Sequence, residues 1–410
     1  MKAMGEVPAD FGGEGGELLI AGRKVSDIVA QAGETPLFVY DLGIVRRRVD
    51  ALRAAMPAAL SLHYAMKANP YPPLLAAMTS LLDGIDVASV GEMRLALEAG
   101  ARAEAMSFAG PGKRDAELEA AIAAGVTLNC ESEGEARRAI AIGDRIGVRP
   151  KLAVRVNPDF ELKGSGMRMG GRPTAFGVDA ARVPALVREI VASGGDWCGF
   201  HIYSGSQALD AEALIETQGA TIALAARLGE EAGGRPPHVN LGGGFGIPYF
   251  PREVPVDIAR IGGALDVALA QRPDILSQTE FAIELGRWLV GECGVYLARV
   301  LDRKQSHGET FLVTDGGLHH QLAASGNFGT VVRRNYPLAV ATRFGAEPEE
   351  AVTVVGCLCT PLDRLGDQIG LPRAEPGDLI AVFMAGAYGA TASPSAFLGH
   401  GPAKEILLGN

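Results

Sequence analysis

Residues 84–100, GIDVASVGEMRLALEAG, place a short run rich in β-branched and apolar residues directly before a segment whose apolar side chains have helical spacing. The run 84–89 predicts a strand and the segment 90–100 predicts a helix. Similar strand-like runs occur at 60–66, 84–89, 105–110, 126–131, 151–157, 198–204, 238–244 and 280–286. Helical segments that follow such runs include 90–100, 114–125, 182–194 and 212–234. Eight strands, each followed by a helix, over about 230 residues predict a (β/α)8 TIM-type barrel. A doubly wound open sheet is the alternative, although it usually contains fewer strands.

After about residue 290 the residue pattern changes to strand-like runs that are separated by turns, with little helical spacing between them. These runs are VYLARVLDRK (295–304), TFLVTDGG (310–317), AVTVVGCLC (351–359) and GDLIAVFMAGAY (377–388). Two further runs near the N-terminus, ELLIAG (17–22) and PLFVYD (36–41), are also strand-like and should pair with the C-terminal strands. We therefore predict a barrel domain over 36–289 and a mainly β domain, a Greek-key-like barrel, from 1–35 plus 290–410.

The bulk composition excludes several classes of protein. With 48% hydrophobic and 21% charged residues, the 410-residue chain has the composition of a globular protein with a large core. A net charge of −10 argues against nucleic acid or an anionic membrane as partner. The five cysteines form no C-x-x-C pair and no secreted-type spacing, and no apolar run is long enough to span a bilayer. We expect a cytoplasmic protein with reduced thiols and without a metal site.

Three residue patterns of the predicted barrel lie at the C-terminal ends of strands, where barrel enzymes have their active sites. Lys67 stands in YAMKAN (64–69), three glycines stand at 242–244, and Glu284 and Arg287 stand in ELGR. Taken singly, a solvated lysine, a tight turn and a surface ion pair explain them. Together they offer an amine for an aldehyde, backbone donors for a phosphate and an acid for a pyridine nitrogen, which is the set that pyridoxal phosphate needs.

The chain resembles the fold-type III pyridoxal-phosphate decarboxylases, the group that contains diaminopimelate and ornithine decarboxylases and has an alanine-racemase-like barrel. The resemblance covers nearly the whole chain. It is carried by PLFVYD, YAMKAN, DVASVGE (86–92), GFHIYSGSQ (199–207), NLGGGFGIPY (240–249), ELGRWLVGECG (284–294), VTDGGLH (313–319), GCLCTPLD (356–363) and GDLIAVFMAGAYG (377–389). In detail, residues 318–337 and the CTPLD segment are similar to the exosortase A system-associated branch.

This resemblance implies roles for individual residues. Lys67 would form the Schiff base with the cofactor, and Glu284 would face the pyridine nitrogen and keep it protonated. Cys359 would reach into the neighbouring subunit's site and return a proton to Cα, which makes the protein a homodimer with shared active sites. The other predicted cofactor-binding residues are Asp86, His201, Tyr203, Ser206, Gly243, Gly244, Gly286, Arg287 and Tyr388. Of these, Ser206, the backbone of Gly243 and Gly244, Arg287 and Tyr388 would bind the cofactor's phosphate.

Departures from the family pattern bear on the substrate. Tyr203 stands where the family usually has the histidine that stacks on the cofactor ring, and His201 falls two residues earlier. Thr360 stands where diaminopimelate and ornithine decarboxylases have an acid for the substrate's distal amine, so Asp363 would have to replace that acid. The family's Arg-Pro-x-x-Tyr segment is missing, and His319, His320 and Gln321 stand near its place. The candidate substrate-binding residues are Arg155, Thr360, Asp363 and Arg333.

We therefore predict a pyridoxal-phosphate-dependent decarboxylase of a small-molecule amino acid or a carrier-bound aminoacyl group. Three alternatives remain open: a meso-diaminopimelate decarboxylase of lysine biosynthesis, an amino-acid racemase on the same barrel, and a non-catalytic cofactor-binding regulator. The racemase would need a second base opposite Lys67. The joint presence of Lys67, Glu284 and Cys359 argues against the regulator.

Overall fold

A computed structural model describes residues 1–161, 167–168, 170–326 and 334–409. By contacts between Cα atoms, the chain divides into two compact units. The barrel unit comprises Val49–Gly246 and Pro255–Gly286, and the β unit comprises Met1–Arg48, Ile247–Val254 and Arg287–Asn410. Each unit is described by itself below.

The barrel unit contains a closed sheet of eight parallel strands, as the sequence predicts. Its strands are β5 (Ser61–Ala65), β6 (Gly84–Val87), β7 (Met106–Phe108), β8 (Thr127–Cys130), β9 (Lys151–Asn157), β12 (Asp196–Ile202), β14 (His238–Gly243) and β15 (Glu280–Leu285). The sheet runs in chain order, and the ring closes because β15 pairs in parallel with β5. Three further short strands lie outside the ring: β10 (Met167–Arg168) pairs with β13 (Gly205–Ser206), and β11 (Val178–Asp179) pairs with β9.

Helices follow the barrel strands, which is why the strands are buried and read as apolar runs. They are α3 (Pro72–Leu81), α4 (Val90–Glu98), α5 (Asp115–Ala124), α6 (Glu133–Ile146), α7 (Val183–Ala192), α8 (Ala211–Ala232) and α9 (Ile258–Ala270). Local chemistry fixes several helix starts: Ser89 and Ser132 accept hydrogen bonds from backbone N–H groups in the first turns of α4 and α6. The four helices predicted at 90–100, 114–125, 182–194 and 212–234 are confirmed.

The β unit is built around an eight-stranded, nearly closed sheet. Its strands are β4 (Leu37–Asp41), β16 (Gly294–Ser306), β17 (Glu309–Thr314), β18 (Leu338–Val340), β19 (Glu350–Val355), β20 (Arg364–Leu371), β21 (Leu379–Val382) and β22 (Lys404–Leu408). The main order is β18-β21-β16-β17-β19-β20, and the two end strands approach each other. The predicted mainly β domain is confirmed.

The two N-terminal strand predictions have different outcomes. PLFVYD forms β4, which pairs with β16 and β22 as expected. ELLIAG forms β2 (Glu17–Ile20), and its predicted pairing with C-terminal strands is wrong. It pairs instead with β1 (Gly12–Glu14) and β3 (Arg23–Lys24) in a separate sheet. The positive φ angles of Gly15, Gly16 and Gly22 let the chain turn back on itself on both sides of β2.

The remaining helices are α1 (Val25–Ala32), α2 (Leu42–Ala55) and α10 (Arg287–Val290). β4 pairs within the sheet of the β unit, and the domain boundaries given from the sequence stay predictions. Within the described ranges, no helix has both the length and the apolar character that crossing a membrane requires.

Candidate active site

Lys67 lies immediately after the first barrel strand, in a single 3-10 turn (Met66–Ala68) that follows β5. Met66 and Ala68 are buried whereas Lys67 is exposed, so the turn is anchored in the core and presents the lysine at the barrel mouth. Gly286 is required beside this turn, since a Cβ there would lie 2.9 Å from the Ala68 Cβ and 3.0 Å from the Ala65 carbonyl oxygen. The structure thus brings the predicted residues Lys67 and Gly286 together.

Glu284 is a buried carboxylate near the end of β15. His201 Nε2 lies 3.0 Å from Glu284 Oε2, and the Asn240 side-chain amide donates to the same oxygen at 3.3 Å. Burial would raise the pKa of Glu284, but the charge and hydrogen bond of His201, with the charges of Lys67 and Arg155, lower it well below its usual range. Glu284 is therefore held as an anion inside the barrel.

His201 lies in β12 and Tyr203 directly follows that strand, and their ring planes are only 8° apart with centroids 6.5 Å apart. His201 is buried and engaged with Glu284, whereas Lys67 Nζ lies 5.6 Å from the centroid of the Tyr203 ring. The tyrosine ring is thus the aromatic face next to Lys67. This geometry favours Tyr203 as the stacking residue, with His201 acting on the carboxylate, and that assignment stays a prediction.

The glycines after β14 form a tight backbone turn. Gly242 and Gly244 have φ angles of +69° and +80°, which L side chains rarely adopt. A Cβ at Gly243 would clash with the carbonyl oxygen of Glu284 in β15. Asn240 holds the turn by accepting a hydrogen bond from the Gly242 N–H at 2.8 Å. Glycine turns with positive φ angles are a backbone arrangement that can bind phosphate oxygens through N–H groups.

Ser206, the predicted phosphate ligand, lies in β13 near this glycine turn. The two segments are joined by the Ala208 N–H, which donates to the Gly244 carbonyl at 3.0 Å. Gln207, next to Ser206, has a φ of +59°, an unusual conformation for a residue with a side chain. Ser206 therefore lies two residues before the hydrogen bond that joins this loop to Gly244.

Asp86 lies in β6 and is buried. Its Oδ1 accepts a hydrogen bond from the Ser107 hydroxyl at 2.6 Å and lies 3.4 Å from His63 Nδ1. Burial alone would lower the pKa of His63, but Asp86 raises it above its ordinary value. Asp86 is thus part of the polar interior of the barrel, as its predicted place in a cofactor site requires.

The barrel interior also contains buried polar atoms that have no hydrogen-bond partner among the described residues. They include Asp86 Oδ2, His201 Nδ1 and the Ser204 hydroxyl. Unsatisfied polar atoms are costly in a core unless a bound group satisfies them. Together with the amine of Lys67, the anion of Glu284 and the glycine turn, this donor set fits pyridoxal phosphate.

Arg287 and Tyr388 lie in the β unit. The Arg287 guanidinium donates to the Tyr249 hydroxyl at 2.7 Å and lies 4.6 Å from the centroid of the Tyr388 ring. Tyr388 itself has a φ of +56°, a strained conformation that favours a functional role. The structure therefore brings two of the predicted phosphate ligands, Arg287 and Tyr388, into contact.

The segment that carries Cys359 is an exposed turn held by a buried aspartate. Cys359 is exposed, and the Thr360 hydroxyl accepts a hydrogen bond from the Leu362 N–H at 3.3 Å. Asp363 is buried, and its two carboxylate oxygens accept hydrogen bonds from the backbone N–H groups of Leu318 at 2.6 Å and Leu358 at 2.9 Å. The carboxylate therefore joins two loops, which counts against a contact with substrate, and the role of Asp363 in substrate binding stays a prediction.

The other candidate substrate residues are engaged within the chain or lie outside the described residues. Arg155 is buried in an ion pair with Glu131, at 2.8 Å, and its role in substrate binding stays a prediction. Arg333 lies outside the described residues. The adjacent Arg334 pairs with Glu253 at 3.1 Å.

His319 and His320 are both buried in the β unit but differ in their contacts. His320 Nε2 lies 2.9 Å from the Gly401 carbonyl oxygen and Nδ1 lies 3.0 Å from the Tyr296 hydroxyl, so Nε2–H donates and Nδ1 accepts. Burial, together with His320 and His400, lowers the pKa of His319 to about 4, which keeps its ring neutral near pH 7.

The sequence prediction missed Asn240 and Ser204. Asn240 bonds both Glu284 and Gly242, and therefore couples the acid to the glycine turn. The sequence signal for Asn240 is a polar residue inside the otherwise apolar run VNLGG, which is unusual in a buried parallel strand. Ser204 follows β12 and carries a buried hydroxyl.

Comparison with known proteins agrees with the geometry. Residues 42–291 match the family described as pyridoxal-dependent decarboxylase, pyridoxal binding domain. An L-glutamyl-(BtrI acyl-carrier protein) decarboxylase of Niallia circulans is 37% identical over 92% of this chain and 89% of its own length. A diaminopimelate decarboxylase of Archaeoglobus fulgidus is 33% identical over 97% of this chain and 93% of its own. The crystal structure of Helicobacter pylori diaminopimelate decarboxylase with L-lysine superposes with a TM-score of 0.83, at 27% identity, covering 93% of this chain and 94% of that one.

Fold and site thus define a (β/α)8-barrel enzyme that uses pyridoxal 5′-phosphate. The chain belongs to the family of pyridoxal-dependent decarboxylases. The predicted fold class, cofactor and reaction class are confirmed. The exosortase A system-associated branch stays a prediction.

Proposed function

We propose that the protein removes the α-carboxylate of an amino acid whose side chain has no free ammonium group, either as the free amino acid or tethered to a carrier. The observation that carries this proposal is the turn after Cys359. Thr360 is neutral there, and the nearby acid, Asp363, is buried with both carboxylate oxygens bonded to backbone N–H groups. Neither residue offers an exposed anion to a distal ammonium group.

The relatives support a carrier-bound substrate as one form of this proposal. A relative with 37% identity over most of both chains is named for a glutamyl group on an acyl-carrier protein. Decarboxylation through pyridoxal phosphate needs a free α-amine and a free α-carboxylate, so a carrier can be attached only through the side chain. Attachment through a side-chain carboxyl also leaves no distal charge to be neutralised, which agrees with Thr360.

The residues of the barrel unit have separate tasks in this reaction. Pyridoxal phosphate, when bound, supplies an electron-accepting ring conjugated to the substrate's α-carbon. Lys67 is the amine that would hold the cofactor's aldehyde. Glu284, whose lowered pKa keeps it ionised, would hold a proton on the cofactor's pyridine nitrogen. His201 Nε2, 3.0 Å from Glu284 Oε2, orients that carboxylate.

The β unit carries the remaining predicted groups. Arg287 and Tyr388, which lie against each other, would bind the phosphate, as the family resemblance implies. The exposed thiol of Cys359 would return a proton to the α-carbon in the active site of a second copy of the chain. This arrangement needs a homodimer.

Diaminopimelate decarboxylation is the second candidate, because several relatives of 30% identity or more carry that name. The neutral Thr360 and the buried Asp363 count against it. The naming of relatives as decarboxylases favours both candidates over the racemase and over the non-catalytic regulator.

The test is carbon dioxide release by the cofactor-loaded protein. The panel contains glutamate, glutamate joined through its side-chain carboxyl to a pantetheine thiol, diaminopimelate, lysine, ornithine and arginine. We expect release from one or both glutamyl substrates and little from the diamino acids. The matched variant Thr360→Asp should increase turnover of the diamino acids relative to the glutamyl substrates. Rapid release from diaminopimelate by the unaltered protein would refute the proposal.

A further inference from the structure

Three side chains of the β unit, from distant parts of the sequence, bring potential metal-binding atoms together. One ligand atom each from His319, Cys357 and His400 lie within 4.8 Å of one another. The Cys357 Sγ lies 3.9 Å from His400 Nδ1 and 4.0 Å from Nε2, and the rings of His319 and His400 have centroids 4.9 Å apart. The sequence predicts no metal site, because these three residues share no metal-ligand spacing.

The buried ring of His319 supports a bound ligand independently of the clustering of the three side chains. Its side chain is fully buried, yet neither ring nitrogen has a hydrogen-bond partner among the residues that the structure describes. Two orphaned nitrogens on one buried ring are costly, because each has lost its bonds to water. The adjacent His320 is equally inaccessible but has both nitrogens engaged, with Tyr296 and Gly401. A ligand for His319 would remove this difference.

We propose that His319, Cys357 and His400 bind a divalent transition-metal ion, with zinc(II) as the natural occupant. Two imidazoles and one thiolate are the ligand types that zinc prefers, and three protein ligands leave a fourth position for water. In tetrahedral zinc sites the ligand atoms are about 3.5 Å apart, as follows from metal–ligand distances of about 2.0–2.3 Å. The group in this chain is somewhat wider, so the side chains would close around the ion.

The ion would join three segments of the β unit. His319 follows the Asp315-Gly316-Gly317 turn, Cys357 lies two residues before Cys359, and His400 lies in a C-terminal turn. The first and third segments are already linked by the bond between His320 and the Gly401 carbonyl. Asp363 links the first and second through Leu318 and Leu358. A metal ion would complete this set of links and hold in place the turn that presents Cys359.

The first measurement is the metal content of the untagged, cofactor-loaded protein, after incubation with zinc chloride and removal of excess metal. Mass spectrometry of the metal should give about one zinc ion per chain, and Cys357→Ser and His400→Ala should lose it. Replacement of zinc by cobalt(II) should give a thiolate-to-cobalt charge-transfer absorption, which Cys357→Ser abolishes. His400 is exposed, so His400→Ala separates loss of the metal from loss of the fold.

Two matched controls keep the test specific. Cys359→Ser removes a neighbouring thiol outside the group, and His307→Ala removes an exposed histidine in a turn of the same unit. Both should retain the zinc ion and the cobalt absorption. Absence of bound zinc in the unaltered protein would overturn the proposal. So would zinc that persists in both Cys357→Ser and His400→Ala.

Discussion

The buried carboxylate of Glu284 is the charge around which the other polar residues of the barrel are arranged. His201 and Asn240 contact one of its oxygens, and the charge of Lys67 also favours its ionised form. A buried anion is tolerated only when it is paired in this way. The residues that share this pairing lie on three different strands, β12, β14 and β15, and Lys67 follows a fourth, β5.

Glu284→Gln should therefore reduce kcat by at least about 10²-fold, a typical effect of removing an electrostatic or acid–base group. The amide has the same shape but cannot hold a proton on the pyridine nitrogen. Glu280→Gln is the matched control, because Glu280 lies on the same strand, is exposed and stands at the opposite end. Steady-state rates of carbon dioxide release measure the effect. Equal losses in the two variants would contradict the role of Glu284.

Asp363 is a candidate substrate-binding residue by sequence, and its buried carboxylate also joins two loops of the β unit. Asp363→Ala should destabilise the protein by about 2–5 kcal/mol, because two buried backbone donors, on Leu318 and Leu358, lose their acceptor. Asp302→Ala, at an exposed position in β16, should be nearly neutral. Thermal unfolding of both variants gives the comparison. A stable Asp363→Ala protein that has lost only substrate affinity would restore the sequence prediction.

His238 predicts a pH dependence of stability. It begins β14 and lines a polar cavity of about 340 Å³ with His63, Asn240 and Glu280. Burial, with the charges of His63 and His201, lowers its pKa from 6.5 to about 4. The folded state therefore binds a proton less readily than the unfolded state, and stability falls as the pH drops from about 6.5 towards 4.

Between pH 7 and pH 5 this group should account for about 2 kcal/mol of the loss. His238→Gln, which cannot take up a proton, should lose correspondingly less stability over the same interval. Urea unfolding at the two pH values measures the difference. His307→Gln, at an exposed turn, should leave the loss unchanged. An identical decline in the unaltered protein and His238→Gln would show that His238 does not titrate as inferred.

Gly243, at the end of β14, lies so close to β15 that no side chain fits there. Gly243→Ala should destabilise the barrel by about 2–3 kcal/mol and reduce cofactor affinity, because the added Cβ would clash with the Glu284 carbonyl oxygen. Gly263→Ala, in α9 where a Cβ meets nothing within 4 Å, should be neutral or stabilising by up to about 1 kcal/mol. Unfolding free energies and cofactor titrations compare them. Wild-type stability of Gly243→Ala would refute the packing argument.

The elements also show what the sequence could and could not predict. All eight barrel strands were predictable because parallel strands buried on both faces are rich in β-branched and apolar residues, and β9 and β14 keep this character around the buried polar residues Arg155 and Asn240. The partner of β2 was not, because two-residue turns around glycine decide pairing more locally than composition reveals. The group of His319, Cys357 and His400 was not predictable either, since it depends on contacts between distant segments.

Each chain carries one of its two proposed reactive groups on the barrel unit and the other on the β unit. Lys67 lies in the barrel unit, whereas Cys359 lies on an exposed turn of the β unit. If Cys359 serves the active site of a second copy, each active site requires both chains of the dimer. A chain defective only in Lys67 and a chain defective only in Cys359 then carry complementary defects.

Mixing Lys67→Ala and Cys359→Ala chains tests this directly. Each variant alone should be nearly inactive as a homodimer. After exchange of subunits, half of the dimers contain one chain of each kind, and each of these has one active site with both residues intact. The mixture should therefore recover about a quarter of the unaltered activity, as random pairing in a two-fold dimer requires. In the control mixture, Cys198→Ala chains replace the Cys359→Ala chains, because the Cys198 thiol lies in the barrel unit. The activity of this mixture is compared with that of Cys198→Ala alone. No recovery in the first mixture, despite exchange demonstrated by mass, would mean that Lys67 and Cys359 act within one chain or that the thiol has no part in the reaction.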